Sequence, residues 1–337
     1  MEKARIVLVV GASAGGSSLL PQLLAQLPKG YSFSVLIVLH LSRNTIGELL
    51  LQRLQRSTPW KCQIARNGET VMADHIYIAR PDRHLLISKD RILLGQGPRE
   101  NRYRPSINML FRSAAASFGP RVIGVILSGL LEDGASGMYA IKRVGGVCIV
   151  QDPEEALYPD MPNAVRSILK PDYVLPVSEM GDAVKQAIAR LSKKRKVKIP
   201  DDILREARIG ERVSLGIEQV EDLGKVSALS CPDCGGALWE IKENGHRRFR
   251  CHVGHAFSEE SLIDAVNAST ESSLWVALRM IDERKNLLKR LGERESQKGN
   301  NRISADYLRQ SKELESHAKK LKQILFALEK KPASRNT

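Results

Sequence analysis

The stretch "RIVLVVGASAGGSSLLPQLLAQL", residues 5 to 27, joins a β-branched apolar run to a small-residue turn and then to an amphipathic segment. A run apolar at every position reads as a strand covered on both faces of a parallel sheet, with the turn leading into a helix. The turn has three readings. A phosphate-binding loop needs a Lys followed by Ser or Thr after its second glycine, and "GGSSLL" supplies no Lys. A dinucleotide fold needs glycine where Ser13 stands and usually a carboxylate ending the second strand, where this chain has His40. The third reading is G-x-S-x-G, met by Gly11, Ser13 and Gly15, in which a tight strand-to-helix turn lifts a serine oxygen out at the carboxyl edge of the sheet. A serine that simply caps the following helix would satisfy the same five residues.

Outward from that turn, apolar runs at 35–39, 76–79, 85–87, 122–128, 147–151 and 173–177 alternate with segments 17–27, 45–56, 106–118, 136–144 and 160–169 that read as helices. This is the pattern of an α/β fold, a doubly wound, mostly parallel, Rossmann-like sheet, over residues 1–190. "HIYIARPDRHLLIS" is expected to form a hairpin inserted into that order. In a doubly wound sheet the carboxyl ends of the strands share one rim, so residues there converge although distant in sequence. "SVLIVLH" places His40 on the rim and "VIGVILSGLLEDGASG" places Asp133 there, beside Glu132. With Ser13 they form the set needed for acyl transfer: a nucleophile, a base to take its proton, and a carboxylate to orient the base. His75 and His84 are rivals for the base and read as structural residues, while Asp152 competes with Asp133. The chain order Ser, His, Asp differs from the Ser, Asp, His order of α/β-hydrolases.

The remainder of the chain is of another kind. Residues 191–228 read as a basic, partly helical linker that includes "KKRKVK" at 193–198, a charge run expected to be solvated. Residues 229–258 hold "CPDCGGALWEIKENGHRRFRCHVGHAF", in which Cys231 and Cys234 form C-x2-C and Cys251 and His255 form C-x3-H. Two such knuckles with flanking glycines suit a closed, tetrahedral Cys3His structural zinc site in a zinc-ribbon-like module, with His252 as an alternative to His255. The basic "HRRFR" is expected to be solvated and not a nucleic-acid contact. Over 259–331, Leu274, Leu278, Ile281, Leu288 and Leu291, then Tyr307, Leu314, Leu321 and Leu328, keep heptad-like spacing on either side of the loop "GERESQKGNN". A helical hairpin or coiled coil is expected, its stripes serving either internal packing or a homo-oligomer. Residues 332–337 read as a disordered tail.

With 52 Lys and Arg against 38 Asp and Glu the net charge is +14, shared as 23 against 16 in residues 1–190 and 29 against 22 beyond. Such a surface favours acidic partners. The chain opens with neither a secretory apolar region nor a span long enough to cross a bilayer, so a cytoplasmic protein without membrane insertion is expected.

The segments "VVGASAGG", "VLIVLHLS", "IYIARPDRHLLI", "RPSINMLFRSAA", "GVILSGLLEDGASG", "IKRVGGVCIVQDP" and "MPNAV", in this order over residues 5–180, resemble the chemotaxis protein-glutamate methylesterases (CheB catalytic domain). The resemblance implies a serine esterase that hydrolyses glutamyl methyl esters on methyl-accepting chemotaxis receptors, often with glutamine deamidase activity, and that needs no cofactor for catalysis. It maps the nucleophile to Ser13, the base to His40, the acid to Asp133 and the oxyanion donor to the N–H of Leu130. This chain departs from the family pattern at Ala14, where Thr is usual and its hydroxyl can help hold the histidine, and at Leu130-Leu131, where Met-Gly is usual. It departs again at Asp160, where Gly is common, and at Asn108, where Asp is usual. Family members typically begin with a receiver domain, whereas here the catalytic strand begins at residue 6, so regulation through the C-terminal half or a partner is expected.

Overall fold

The computed structural model describes residues 2–40, 47–193, 197–211 and 223–329. The middle of "KKRKVK", part of the linker, the first two residues of the helix expected at 45–56, and the tail lie outside the described residues. The chain divides into two units, one up to Leu262 and one from Ile263.

The first unit is built on a parallel sheet of seven strands: β1 (Ile6–Ala12), β2 (Phe33–Leu39), β3 (Lys61–Ile64), β4 (His75–Ile78), β7 (Val122–Ile126), β8 (Val147–Gln151) and β9 (Tyr173–Leu175). Their order across the sheet is β3-β4-β2-β1-β7-β8-β9. β1 is buried at all seven positions, as its apolar run requires. Val7 and Val9 face one core with α3 (Ile107–Phe118), α4 (Ala135–Arg143) and α5 (Asp160–Ile168). Ile6, Leu8 and Val10 face the other with α1 (Gly16–Ala25), α2 (Gly47–Ser57) and α6 (Met180–Ser192). Because the chain leaves β1 toward β2 on one side and returns to β7 on the other, the carboxyl ends of β1 and β7 flank a topological switch point, where such sheets hold their ligands.

The hairpin expected at "HIYIARPDRHLLIS" is corrected. β4 pairs parallel with β2 and β3 inside the main sheet, and the hairpin is formed by β5 (His84–Ser88) with β6 (Arg91–Gly95). The reason lies in burial: Ile76 and Ile78 serve one core and Tyr77 the other, which only an interior strand allows. The hairpin turns through Lys89, which adopts a left-handed φ of 57°.

Beyond the sheet, α7 (Asp201–Glu211) packs on α3 and the hairpin. A four-stranded antiparallel ribbon of β10 (Lys225–Ser230), β11 (Ala237–Glu243), β12 (His246–Cys251) and β13 (Ala256–Ser258) follows, starting four residues before the boundary read at 229. In the second unit α8 (Glu259–Gln297) and α9 (Asn301–Glu329) run antiparallel, with Ser304 and Ser311 donating to the carbonyls of Gly292 and Lys285. Leu274, Leu278 and Ile281 meet Ala318, Leu321 and Leu325 along the seam. The loop expected over "GERESQKGNN" is shorter than read. Its Glu, Arg and Gln residues are good helix formers, so α8 continues to Gln297 and the turn waits for Gly299, at φ +81°. Val276, Met280 and Leu287 share an exposed face of α8. The side chain of Leu328 lies outside the described set. Among the described residues no helix is long and apolar enough to cross a membrane.

His84, fully buried in β5, binds the Pro98 carbonyl through Nε2 at 2.9 Å and accepts the Ser106 N–H at Nδ1, 3.2 Å away. The second bond requires a bare Nδ1, hence the neutral ring. Burial lowers its pKa from 6.5 against the pull of the Pro98 carbonyl and Glu100. The folded chain therefore resists a proton that the unfolded chain accepts, so this contribution is complete above about pH 6.5 and is lost as the pH falls through and below that value. Urea midpoints should be flat from about pH 8 to 7 and decline toward pH 5. In His84→Gln the decline should be shallower, on a baseline lower by roughly 1–3 kcal/mol. An identical pH slope in the variant would show that another group carries it.

Candidate active site

Three strand ends assemble the site. After β1 the chain turns sharply at Gly15, which adopts φ +77° and caps α1, so Ser13 is not the helix cap. The Ser13 N–H donates to the Ser128 carbonyl at 3.0 Å, and the Ser128 hydroxyl donates to the Ala14 carbonyl at 2.9 Å. These bonds tie the β1 turn to the end of β7. The approach is so close that a Cβ on Gly129 would lie 2.7 Å from that of Ser13. His40 follows β2, and its N–H donates to the Ala12 carbonyl at 3.1 Å, which sets it beside the same turn.

The His40 ring is almost wholly buried, and its Nε2 lies 3.0 Å from Asp133 Oδ2. Asp152 makes a local turn instead, accepting the Glu154 N–H at 3.0 Å. His75 and His84 are likewise committed elsewhere, to the carbonyls of Ala73 and Pro98. Asp133 is held by more than the histidine. It accepts the Ile107 N–H at Oδ2 (2.6 Å) and, at Oδ1, the Asn108 N–H (3.2 Å) and the Ser106 hydroxyl (3.0 Å). These are the free donors of the α3 N-terminus, where a carboxylate also meets the positive end of the helix dipole. Asn108 returns the favour: its Oδ1 accepts the Gly134 and Gly137 N–H groups at the start of α4, at 3.1 and 2.7 Å.

With Nε2 bound to Asp133, the other ring nitrogen of His40, Nδ1, is buried without a partner among the described residues. Ser13 is thus brought to the rim that holds His40 and Asp133, but no hydrogen bond joins its hydroxyl to the ring. Sequence reasoning missed Tyr103, whose ring lies flat on His40 with centroids 3.7 Å apart and planes 7° from parallel. It also missed Ser106, although Ser as an N-cap three residues before Met109 was a readable signal. At the turn after β7, Leu130 is 44% exposed and Leu131 is left-handed at φ 65°. The Leu131 N–H points to Asp160 Oδ2 at 3.4 Å, so a carboxylate stands beside this turn.

A second constellation sits in the ribbon. One ligand atom each from Cys231, Cys234, Cys251 and His255 lies within 4.8 Å of all the others. Tetrahedral zinc with bonds of about 2.3 Å to sulfur and about 2.0–2.1 Å to nitrogen would space sulfurs by about 3.8 Å and sulfur from nitrogen by about 3.5 Å. Cys234 Sγ and Cys251 Sγ are 3.7 Å apart, and Cys251 Sγ is 3.5 Å from His255 Nδ1, so the donor set fits. His255 and not His252 joins the cluster, with its Nε2 3.7 Å from Asp233 Oδ2, a carboxylate suited to orient it.

The chain is 35% identical over 176 residues to a putative protein-glutamate methylesterase/protein-glutamine glutaminase of Leptospira interrogans, covering 52% of this chain and 91% of the relative. It is 35% identical over 175 residues to protein-glutamate methylesterase/protein-glutamine glutaminase 2 of Methanospirillum hungatei, where the match spans only half of the relative's length. The crystal structure of the Thermotoga maritima CheB methylesterase catalytic domain superposes with a TM-score of 0.51 at 28% identity, covering 54% of this chain and 97% of that one. The CheB methylesterase family model matches residues 8–184, more than half of the 337, and the chain belongs to that family.

Proposed function

We propose that the protein is a protein-glutamate methylesterase acting on methyl-accepting chemotaxis receptors through Ser13, His40 and Asp133, with glutamine deamidation as a related activity. The observation that carries this reading is the buried pair of His40 Nε2 and Asp133 Oδ2 at 3.0 Å, which leaves Nδ1 bare at the rim where the Ser13 turn emerges. In the reaction Ser13 Oγ bonds to the ester carbonyl carbon while His40 Nδ1 takes the hydroxyl proton. Asp133 holds the ring and stabilises the imidazolium. The carbonyl oxygen becomes an oxyanion served by backbone N–H groups of the exposed turn, with Leu130 as the donor that the family resemblance indicates and Ala14 on the facing turn. Collapse breaks the carbon–oxygen bond to methanol, which receives the proton from His40. Water, deprotonated by the same nitrogen, then releases glutamate and restores Ser13. For glutamine the leaving group is ammonia. The basic surface, +14 overall, suits an acidic receptor segment.

Methanol release from a carboxyl-methylated receptor fragment tests this directly. Ser13→Ala should reduce turnover by on the order of 10³-fold or more, and Asp133→Asn by a comparable factor. Turnover retained in Ser13→Ala would remove the nucleophile assignment. Release from p-nitrophenyl esters but not from the methylated receptor would move the substrate to another ester class.

We also infer that the Cys3His cluster holds one structural zinc, because the four donors lie within 4.8 Å of one another and Cys251 stands from Cys234 and His255 at the spacing of a tetrahedral site. Zinc assay of the purified chain should give about one equivalent, lost in Cys251→Ser. A metal-free wild type that unfolds at the same temperature as a zinc-reconstituted sample would oppose the inference.

Self-association through the second unit is supported by Val276, Met280 and Leu287, which stand exposed along one stripe of α8 interrupted by Glu283. Sedimentation velocity should show a dimer or larger species that Met280→Glu with Leu287→Glu converts to monomer. A monomeric wild type at tens of micromolar would exclude it.

A further inference from the structure

The ribbon shares the first unit with the active site, and the contacts between them are buried and charged. Arg250 of β12 is 1% exposed, among the largest fully buried side chains of the protein. Its guanidinium donates to Glu100 Oε2 at 3.1 Å and to the Gly254 carbonyl at 3.2 Å. Gly254 lies within the second cysteine–histidine knuckle, and Arg250 directly precedes Cys251, so this one side chain ties the knuckle to Glu100. Glu100 is bonded in turn to Arg112 of α3, which donates to Ser136 of α4 at 3.2 Å and pairs with Glu206 of α7 at 3.0 Å. Arg248 closes the set on Glu206 and Glu243. Burial alone would raise the Glu100 pKa, but Arg112, Arg250 and Arg248 outweigh it and hold the carboxyl at about 2.

Glu100 opens the loop that ends at Tyr103, and the two residues exchange backbone hydrogen bonds of 3.2 and 2.9 Å. β13 runs alongside. The Asn101 N–H donates to the Ala256 carbonyl at 2.8 Å, and Asn101 Oδ1 accepts the Ser258 N–H at 3.0 Å and the Ser261 hydroxyl at 3.1 Å. The Ser258 hydroxyl also bonds to Glu132, the neighbour of Asp133. The ribbon therefore grips the active site twice, at the loop carrying the ring that covers His40 and at the turn carrying the carboxylate that orients it.

We propose that the ribbon is a positioning element of the esterase site: its metal-binding knuckles act through Arg250, Glu100 and Asn101 to hold Tyr103 flat on His40, so that occupancy of a site remote from the chemistry governs turnover. The proposal rests on the esterase reading for its effect on rate, and on geometry alone for its effect on His40.

The test uses the full chain with selectively labelled histidines, reading both the His40 ring resonance, which the Tyr103 ring current should displace upfield, and the kinetics of methanol release. Tyr103→Leu should abolish the displacement and lower kcat roughly ten- to a hundredfold with KM little changed, while Tyr103→Phe, which keeps the ring, should restore both. Asn101→Gly, which suits the left-handed φ of 49° and deletes the side-chain bonds to Ser258 and Ser261 while keeping the backbone bond to Ala256, should reproduce much of the Tyr103→Leu effect with zinc still bound. Removal of zinc by chelation should do the same, with circular dichroism confirming that the sheet persists. An unmoved His40 resonance and unaltered kcat in Asn101→Gly would overturn the proposal, as would an unmoved resonance after proven zinc loss. If the resonance responds but wild type releases no methanol, the coupling stands and the esterase reading fails.

Discussion

The proposed active site depends on one buried carboxylate. Asp133 is excluded from water, and an ionised group in that position costs several kcal/mol unless its oxygens are bonded. The α3 N-terminus supplies the bonds through two backbone N–H groups and the Ser106 hydroxyl, and His40 supplies a fourth. Because the donors belong to a helix packed into the core by Leu110 and Phe111, the carboxylate has one position, and the imidazole that meets it has one orientation. The reciprocal bonds from Gly134 and Gly137 to Asn108 make the arrangement mutual: each helix start is completed by a residue next to the other. The Asn108 carbonyl oxygen accepts both N–H groups, so the departure from the family's Asp at this position preserves the cap without adding a second buried charge beside Asp133.

How much of this could be read beforehand follows from where each part lives. The common rim of Ser13, His40 and Asp133 was legible because each follows an apolar run, directly or in the next turn, and the convergence of strand ends is a property of the parallel sheet, not of any one side chain. The choice of Asp133 over Asp152 rested on the family resemblance and not on spacing, since both follow strands; in the fold the path of α3 separates them. Backbone donors leave no mark in a sequence. Tyr103 was invisible for another reason, because its contact depends on a loop whose course is set by residues more than a hundred positions away in β13. The misplaced hairpin has the same origin. Apolar runs announce strands, but the partner of β4 is decided by which core each face must serve.

The C-terminal half divides on similar lines. Paired knuckles with flanking glycines single out in the sequence the four residues that cluster, with His252 as an alternative to His255, and the turn at Gly254, at φ +111°, precedes the histidine that joins them. The charges of β12 had been read as a solvated basic face. Arg248 and Arg250 are instead buried, because β12 alternates and these two point into the first unit toward Glu100 and Glu206 while Arg247 pairs at the surface with Glu259.

A buried network of this size is a poor choice for stability alone, since apolar residues of equal volume commonly do as well. Its advantage is discrimination among arrangements. An apolar contact between the ribbon and α3 could slip by part of a residue at small cost, but displacement of Arg250 from Glu100 would leave a buried guanidinium without its carboxylate and Glu100 with one of its two bonded arginines. The ribbon is held in one register, and that register fixes Asn101 on β13. The same argument favours Arg over Lys at these positions: Arg112 donates to Glu100 and Ser136 and pairs with Glu206 from three separate nitrogens spread over a plane, where an ammonium would have to meet all three from one atom.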